Sequence, residues 1–128
     1  KGELSGERMF VAVDSKDQEN EHSCFADNTI ADIVNNFQGI VNVYTGEYTR
    51  VDGSKVNGIS YAALAAEISP EKATTANEAI HATFQAINDI PAPFDQAIIE
   101  NEEEVLKAVE ALEDLSDAFA DVSLELKK

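Results

Sequence analysis

The sequence predicts an all-α protein that folds as an up-and-down helical bundle. Three segments place apolar residues at intervals of three and four, which is the period of one face of an α-helix. Helix-start and helix-stop signals flank these segments, and no convincing alternation of apolar and polar residues occurs elsewhere. With 128 residues, of which 44% are hydrophobic, the chain is long enough to bury a core. We therefore expect one helical-bundle domain over residues 1–128.

The first predicted helix begins at an Asp-Asn pair. Asp27 or Asn28 is expected to supply the N-cap oxygen, and Asp32 adds negative charge where the helix dipole favours it. A polar, glycine-containing loop over residues 45–54 then ends the element. Its apolar stripe consists of Ile30, Ile33, Val34, Phe37, Ile40, Val41, Tyr44 and Tyr48.

The second and third helices are bounded by prolines. The second is predicted to start at Ser69 as N-cap with Pro70 in the first position, and the sequence "IPAPF" over residues 90–94 stops it. The third starts near Pro93, and Asn101 and Glu102 are a polar interruption of its apolar face. If unbroken to Leu126, it has about 33 residues and a length of roughly 50 Å. Residues 60–68 are Ala-rich and predicted to be helical.

The N-terminal stretch is less clearly patterned. Residues 3–14, "ELSGERMFVAVD", are compatible with a further helix. The segment "MFVAV" within it would also suit a strand, because short apolar runs do not distinguish the two. Both alternatives stand at this point.

Composition and charge exclude several functions. The chain has 25 acidic and 9 basic residues and a formal net charge of −16, which opposes binding to nucleic acids and to anionic membrane surfaces. One cysteine excludes an internal disulfide and a zinc ribbon. No run approaches the roughly 18 apolar residues of a transmembrane helix.

The stretch "HSCFADNTIADIVNN", residues 22–36, holds the chain's most concentrated potential chemistry. His22 and Cys24 lie two residues apart, among residues that offer carboxylate oxygens: Glu19, Glu21 and Asp27. A structural zinc site needs four ligands, mainly Cys and His, and a Cys-His nucleophile pair needs loop geometry because residues two apart do not face each other on a helix. The structural alternative is that Cys24 and Phe25 are buried beneath the helix start.

A second constellation consists of two Glu-x-x-His pairs. Glu19 with His22, and Glu78 with His81, have the spacing used by di-iron carboxylate sites in four-helix bundles. With 25 acidic residues and two histidines, this spacing also arises easily by chance. A further group of amides (Asn35, Asn36, Gln38, Asn42) either faces a partner or forms an ordinary solvated helix face.

Four segments, taken together and in order, resemble the imelysin family and in particular its iron-regulated protein A branch. They are "GERMFVAVDSKDQENEHSCFADNT", "DIVNNFQGIVNVYTGEYTR", "DGSKVNGIS" and "IPAPFDQAI", and they cover nearly the whole chain. The resemblance is to the C-terminal half of such proteins. It implies an all-α fold, of which this chain would be one half of a duplicated two-bundle arrangement.

The resemblance also implies a functional setting. Members of the family are bacterial periplasmic or outer-membrane lipoproteins associated with iron-regulated expression and iron uptake, and the family was first described through a peptidase. The suspected metal motif, Gly-x-His-x-x-Glu, is not found in this chain. The branch commonly reads Asp-Asn-Thr-His, whereas here Ile30 follows Thr29.

The resemblance maps two groups of residues onto this chain. One is a candidate set of ligands for iron or another divalent metal: His22, Glu21 and Asp27. The other is a structural polar network at the contact between halves: Glu7, Arg8, Ser23, Cys24, Asn28, Thr29, Asp95 and Gln96. No residue is implied to be catalytic, although Glu7 and Arg8 would suit a charge-assisted pair.

Three functional hypotheses follow. The first is a non-catalytic C-terminal bundle of an iron-regulated cell-envelope protein in metal acquisition. The second is a metal-dependent peptidase of the imelysin type, in which this chain lends ligands to the other half. The third is an interaction module whose apolar stripes pair with the N-terminal half of the same protein or with a companion chain.

Overall fold

A computed structural model describes residues 1–127, and in them helices form an all-α bundle with one short two-stranded hairpin. No helix among these residues is long and apolar enough to cross a membrane. In chain order the elements are a π-helical segment (Gly2–Phe10), α1 (Val11–Ser15), a 3-10 turn (Gln18–Asn20), α2 (Thr29–Thr45), β1 (Glu47–Thr49), β2 (Lys55–Asn57), α3 (Tyr61–Ile68), α4 (Pro70–Asn88), α5 (Phe94–Glu100) and α6 (Glu102–Glu125).

The core is centred on the packing of α4 against α6. Thr83 of α4 is fully buried, and its hydroxyl bonds both to the carbonyl of Ala79 in its own helix at 2.8 Å and to that of Ala111 in α6 at 3.1 Å. The Phe37 ring of α2 meets the Phe84 ring of α4 edge to face, with centroids 4.6 Å apart. The apolar stripes predicted from the sequence therefore meet in one interior, as helix packing requires.

The N-terminal stretch is helical, so the strand alternative is wrong. Met9, Ala12 and Val13 are buried, which is the spacing of a helix face rather than of a strand. Over Gly2–Phe10 the backbone is π-helical. Arg8 donates to Glu3 at 2.9 Å, across five residues, which suits the wider turn of a π-helix.

The first long helix ends three residues earlier than its apolar stripe suggested. Gly46 adopts a left-handed conformation (φ 66°) after α2 and donates its N–H to Asn42 O at 2.9 Å. Tyr48, predicted to lie on the helix stripe, instead pairs with Val56 in the antiparallel hairpin and is half exposed. Tyr48 keeps the apolar spacing of the helix only by coincidence, because the helix itself ends at Thr45.

Helices α3 and α4 follow their predicted boundaries closely. The Ser60 hydroxyl accepts a hydrogen bond from the Ala63 N–H at 3.0 Å and so caps α3. Ser69 and Pro70 occupy the N-cap and first positions of α4, as predicted, although the Ser69 side chain makes no capping bond. The helix stops at Asn88, before the proline-containing segment.

The third predicted helix is interrupted at Asn101, so it does not run unbroken to Leu126. Asn101 leaves the helical conformation (φ −130°, ψ 40°) and separates α5 from α6. Its carbonyl accepts from the N–H groups of Glu104 and Val105, so it begins a new helix. The acidic residues at 102–104 favour a helix N-terminus here because they complement the dipole.

Candidate functional site

The loop between the 3-10 turn and α2 is tied down by side-chain hydrogen bonds. The Ser23 backbone N–H donates to Thr29 Oγ1 at 3.0 Å, and the Ser23 hydroxyl donates to Asp32 Oδ2. Asp17 accepts the N–H of Glu19 at 2.9 Å and caps the 3-10 turn. Residues 17–28 therefore present a fixed polar surface, which we call the α2 entry loop.

Glu21 is the one carboxylate on the α2 entry loop that is nearly removed from solvent. It is 4% exposed, and burial raises the pKa of its carboxyl group. A hydrogen bond with the Thr29 side chain acts in the opposite direction, while the negative charges of Asp95 and Asp27 raise the pKa further. A buried carboxylate with one neutral partner is energetically costly in its ionised form.

His22 follows directly and is half-buried. Its Nε2 atom is shielded from solvent and has no hydrogen-bond partner within residues 1–127. The hydrogen bond from Arg8 is the main cause of the lowered pKa of Glu3 in the π-helical segment, and the nearby His22 imidazole makes the smallest contribution to it. A buried nitrogen without a partner is uncommon in folded proteins and calls for an explanation, such as a ligand or a partner group.

The three predicted metal ligands do not form a complete site among the described residues. Within residues 1–127 no group of three or more His, Cys, Asp and Glu side chains is placed to hold a metal ion. Asp27 is exposed and adopts a left-handed conformation (φ 49°) at the end of the loop. His22 nitrogen and Glu21 oxygen suit iron and zinc chemically, but any metal there needs ligands from elsewhere.

Cys24 and Phe25 do not pack together beneath the helix start. Phe25 is 97% exposed, so its predicted burial is wrong, whereas Cys24 is half-buried and its thiol is free. Asn28 occupies the N-cap position, but its side chain makes no capping bond.

The residues predicted to form a polar network make separate hydrogen bonds. The Ser23 N–H donates to the Thr29 hydroxyl oxygen, and Asp95 of α5 accepts a hydrogen bond from Gln18 Nε2, outside the predicted set, at 3.2 Å. Arg8 bonds to Glu3, while Glu7 affects Arg8 only through its charge. Gln96 is exposed.

The second Glu-x-x-His pair is on the surface. Glu78 and His81 are both exposed on α4. A di-iron site in a bundle needs such side chains to project into the interior. Their exposure on α4 does not meet that requirement.

A second candidate site is an apolar groove between α2 and α6. Tyr44 of α2 and Phe119 of α6 form its floor, with ring centroids 4.7 Å apart. Within residues 1–127 the Tyr44 hydroxyl is buried without a hydrogen-bond partner, and burial raises its pKa. The groove has a volume of about 380 Å³. Its lining residues, which we call the α2–α6 groove, are Ile40, Val43, Tyr44, Tyr61, Phe119, Val122, Ser123 and Leu126.

Sequence reasoning missed parts of both sites. Asp32 was expected only to complement the helix dipole, yet it accepts the Ser23 hydroxyl. Ile40 was assigned to the buried stripe, yet it is 38% exposed at the groove. A usable signal for the groove was Val43, which is apolar but lies off the stripe and is 69% exposed.

The chain is similar to one known protein family. The family model described as Imelysin (Peptidase M75) matches residues 1–122, which is nearly the whole chain. No curated protein matches the sequence.

Proposed function

We propose a function from the premise that this chain belongs to the imelysin family, which the match over residues 1–122 establishes. The chain is the non-catalytic C-terminal bundle of an iron-regulated bacterial cell-envelope protein that serves metal acquisition. It works in the periplasm or attached to the outer membrane. The N-terminal half of the same protein, or a companion chain, completes the structure and the site.

The observation that carries this proposal is the unpartnered Nε2 atom of His22. It lies on the α2 entry loop beside the buried carboxylate of Glu21, so a nitrogen and an oxygen ligand are adjacent in the chain. In the proposal these two residues, with Asp27 at the loop end, provide part of a ligand set for iron or another divalent metal. The partner half supplies the remaining ligands, because residues 1–127 do not complete the set.

Metal titration followed by NMR of the imidazole groups tests the proposal. The chain has two histidines, so the exposed His81 is an internal control for His22. With the full-length protein and Zn²⁺ as a diamagnetic probe, we expect the Nε2 resonance of His22 to shift while that of His81 stays in place. Calorimetry with Fe²⁺ should then show binding that is lost in a His22→Ala variant and retained in His81→Ala.

Two results would contradict the metal role. One is a full-length protein whose His22 resonance does not respond to Zn²⁺ up to millimolar concentration. The other is binding that survives His22→Ala at unchanged affinity, which would place the ligands elsewhere.

The matching family is described as a peptidase family, which supports a second candidate function. In a metal-dependent peptidase, the bound metal would supply an activated water, and His22 and Glu21 would be ligands lent to the other half. Peptide cleavage by the full-length protein that is inhibited by a chelator and lost in His22→Ala would favour this function. Metal binding without any cleavage of a peptide library would favour the non-catalytic role.

A further inference from the structure

Gly39 lies in the middle of α2, where a glycine has an unfavourable helix propensity. Glycine inside a helix is destabilising relative to alanine, because its backbone loses more conformational freedom on folding. Gly39 is exposed, and a Cβ atom built on it would meet no atom of the chain within 4 Å. Nothing within residues 1–127 therefore requires a glycine here. A close approach by a backbone from outside the chain would require one.

The glycine lies directly beside the α2–α6 groove. Its neighbour Ile40 lines the groove, and Val43, one helical turn further on, is 69% exposed on the same wall. The opposite wall comes from Phe119, Val122 and Leu126, at intervals of three and four residues. Two helix faces with this spacing form the kind of surface into which a third helix packs its apolar stripe.

The groove is longer than its main cavity. A second cavity of about 180 Å³ shares Ile40 and Phe119 with it and continues toward Leu112 of α6 and Leu4 of the π-helical segment. From Leu112 to Leu126 the α6 side spans about 21 Å at 1.5 Å per residue. That length matches roughly four turns of a docked helix.

Charge distinguishes the two rims of the groove. On the α6 side, Lys1 lies near the carboxylates of Glu113, Asp114 and Asp117, and this one lysine does not balance them. On the α2 side, the exposed neighbours of Gly39 are the uncharged amides Asn35 and Gln38. A second copy of the chain, with a net charge of −16, would be repelled. The rims instead complement a helix that has a cationic flank toward α6 and a neutral flank toward α2.

We propose that the α2–α6 groove binds one amphipathic α-helix of a partner polypeptide, which crosses α2 closely at Gly39 and directs lysine or arginine side chains toward α6. The proposal rests on the partner part of the proposed function and is independent of its metal part. It names the face, the secondary structure and the charge of the partner. The amides of α2, whose role the sequence left open, become the neutral rim of this interface.

A tryptophan-containing peptide provides a direct test, because the chain itself has no tryptophan. The probe is a helical peptide of about 18 residues, long enough for the four-turn groove, with a leucine stripe, one tryptophan in that stripe, a central alanine and lysines along one flank. On binding, we expect its fluorescence to shift to shorter wavelength as the indole leaves water. A peptide with glutamate in place of lysine should bind at least about tenfold more weakly, a difference of 1.4 kcal/mol.

Variants that leave the net charge unchanged separate specific docking from attraction of a cationic peptide to an acidic protein. Gly39→Leu adds a side chain at the crossing point, into space that the chain does not use, so the variant should fold and should bind the lysine peptide at least about tenfold more weakly. Ala82→Leu, at an exposed site on α4 outside the groove, is the matched control and should bind normally. Val43→Thr is a second variant that makes the groove wall more polar and should also weaken binding.

Equal binding of the lysine peptide by Gly39→Leu, Val43→Thr and wild type would overturn the proposal. So would a stable dimer of the chain in sedimentation that Gly39→Leu dissociates, because a second copy would then occupy the groove. A failed His22 titration combined with Gly39-dependent peptide binding would leave this inference standing and reject the metal role. A successful His22 titration without Gly39-dependent peptide binding would reject only this inference.

Discussion

The backbone N–H of Ser23 donates to the Thr29 hydroxyl oxygen at 3.0 Å, and this bond joins the α2 entry loop to the first residue of α2. Thr29 is 1% exposed, and its side chain also bonds to the buried carboxyl group of Glu21. One hydroxyl therefore serves a backbone donor and a carboxylate acceptor at once. The loop that carries His22 depends on this residue for its shape.

Thr29→Val removes the hydroxyl while nearly preserving the shape of the side chain. We expect the variant to lose about 1–3 kcal/mol of unfolding free energy, because it leaves the Ser23 N–H and the Glu21 carboxylate without their partner in a buried setting. Urea denaturation followed by circular dichroism measures the change. Thr75→Val is the matched control, since Thr75 is exposed and its hydroxyl bonds only to the carbonyl of Glu71. Equal losses in the two variants would show that the Thr29 hydroxyl has no special role.

Glu21→Gln is expected to stabilise the protein at neutral pH. The amide keeps an oxygen that can accept from Thr29, and it avoids the cost of a charged group that is 4% exposed. Circular dichroism melts at several pH values measure the difference between variant and wild type. That difference isolates Glu21 from the other carboxyl groups of this acidic chain.

The sign of the pH dependence follows from the direction of the pKa shift. Burial raises the pKa of Glu21 above its ordinary value of 4.5. Between pH 4.5 and the pKa of the folded state, the folded protein therefore binds more protons than the unfolded protein. The contribution of Glu21 to stability is therefore fully present below pH 4.5 and is lost as the pH rises through the folded pKa. The advantage of Glu21→Gln over wild type should grow across that window and then become constant. An advantage that is largest in acid would contradict the shift.

Phe37→Ala tests the packing of α2 on α4. Phe37 is fully buried, and its ring lies edge to face with that of Phe84 at 4.6 Å. We expect a loss of about 3–5 kcal/mol, which combines lost burial with the cavity left behind. Ile40→Ala, one turn away on the same helix but 38% exposed at the groove, should cost much less. Urea denaturation of the pair would contradict this prediction if the two losses were similar.

Helix positions could be predicted from the sequence because each long helix has one apolar face and clear boundary residues. Pro70 at the start of α4 and the prolines after Asn88 define that element by steric rules that act locally. The polar interruption at Asn101 and Glu102 was visible in the sequence, but it did not decide between a break and a continuous helix, because Ile98 and Val105 on either side keep the spacing of one helix face. There the deciding signal was the acidic run at 102–104, which favours a new helix N-terminus.

The candidate site was less predictable, because it depends on which polar atoms find partners in three dimensions. The sequence identified His22 as worth testing, and the structure adds that its Nε2 atom has no partner within residues 1–127. The sequence could not indicate that Phe25 would be exposed, because an apolar residue just before a helix start has the same local pattern whether it is buried or not. The apolar stripe alone could not reveal the groove for a related reason: Ile40 has the correct helical spacing for the core, but no element of the described chain covers it.

The same substitution at two positions of one helix should have opposite effects. At Gly46, alanine must adopt a left-handed conformation, and its Cβ atom would lie 2.9 Å from Ser60 Cβ and 3.0 Å from the Ile59 carbonyl oxygen. At Gly39, the backbone is helical and the space is open. We expect Gly46→Ala to cost about 1–2 kcal/mol for the left-handed conformation alone, with the close contacts adding to that cost.

Gly39→Ala should instead stabilise the isolated chain by about 0.5–1 kcal/mol, because alanine restricts the unfolded chain and suits the helix. Urea denaturation of the two variants side by side gives both signs in one experiment. A destabilised Gly39→Ala variant would mean that the chain itself requires the glycine, and the case for a docked helix at that position would weaken. A stabilised Gly39→Ala variant would show that the natural glycine lowers the unfolding free energy of the chain. A partner helix that packs closely against Gly39 would account for that loss of stability.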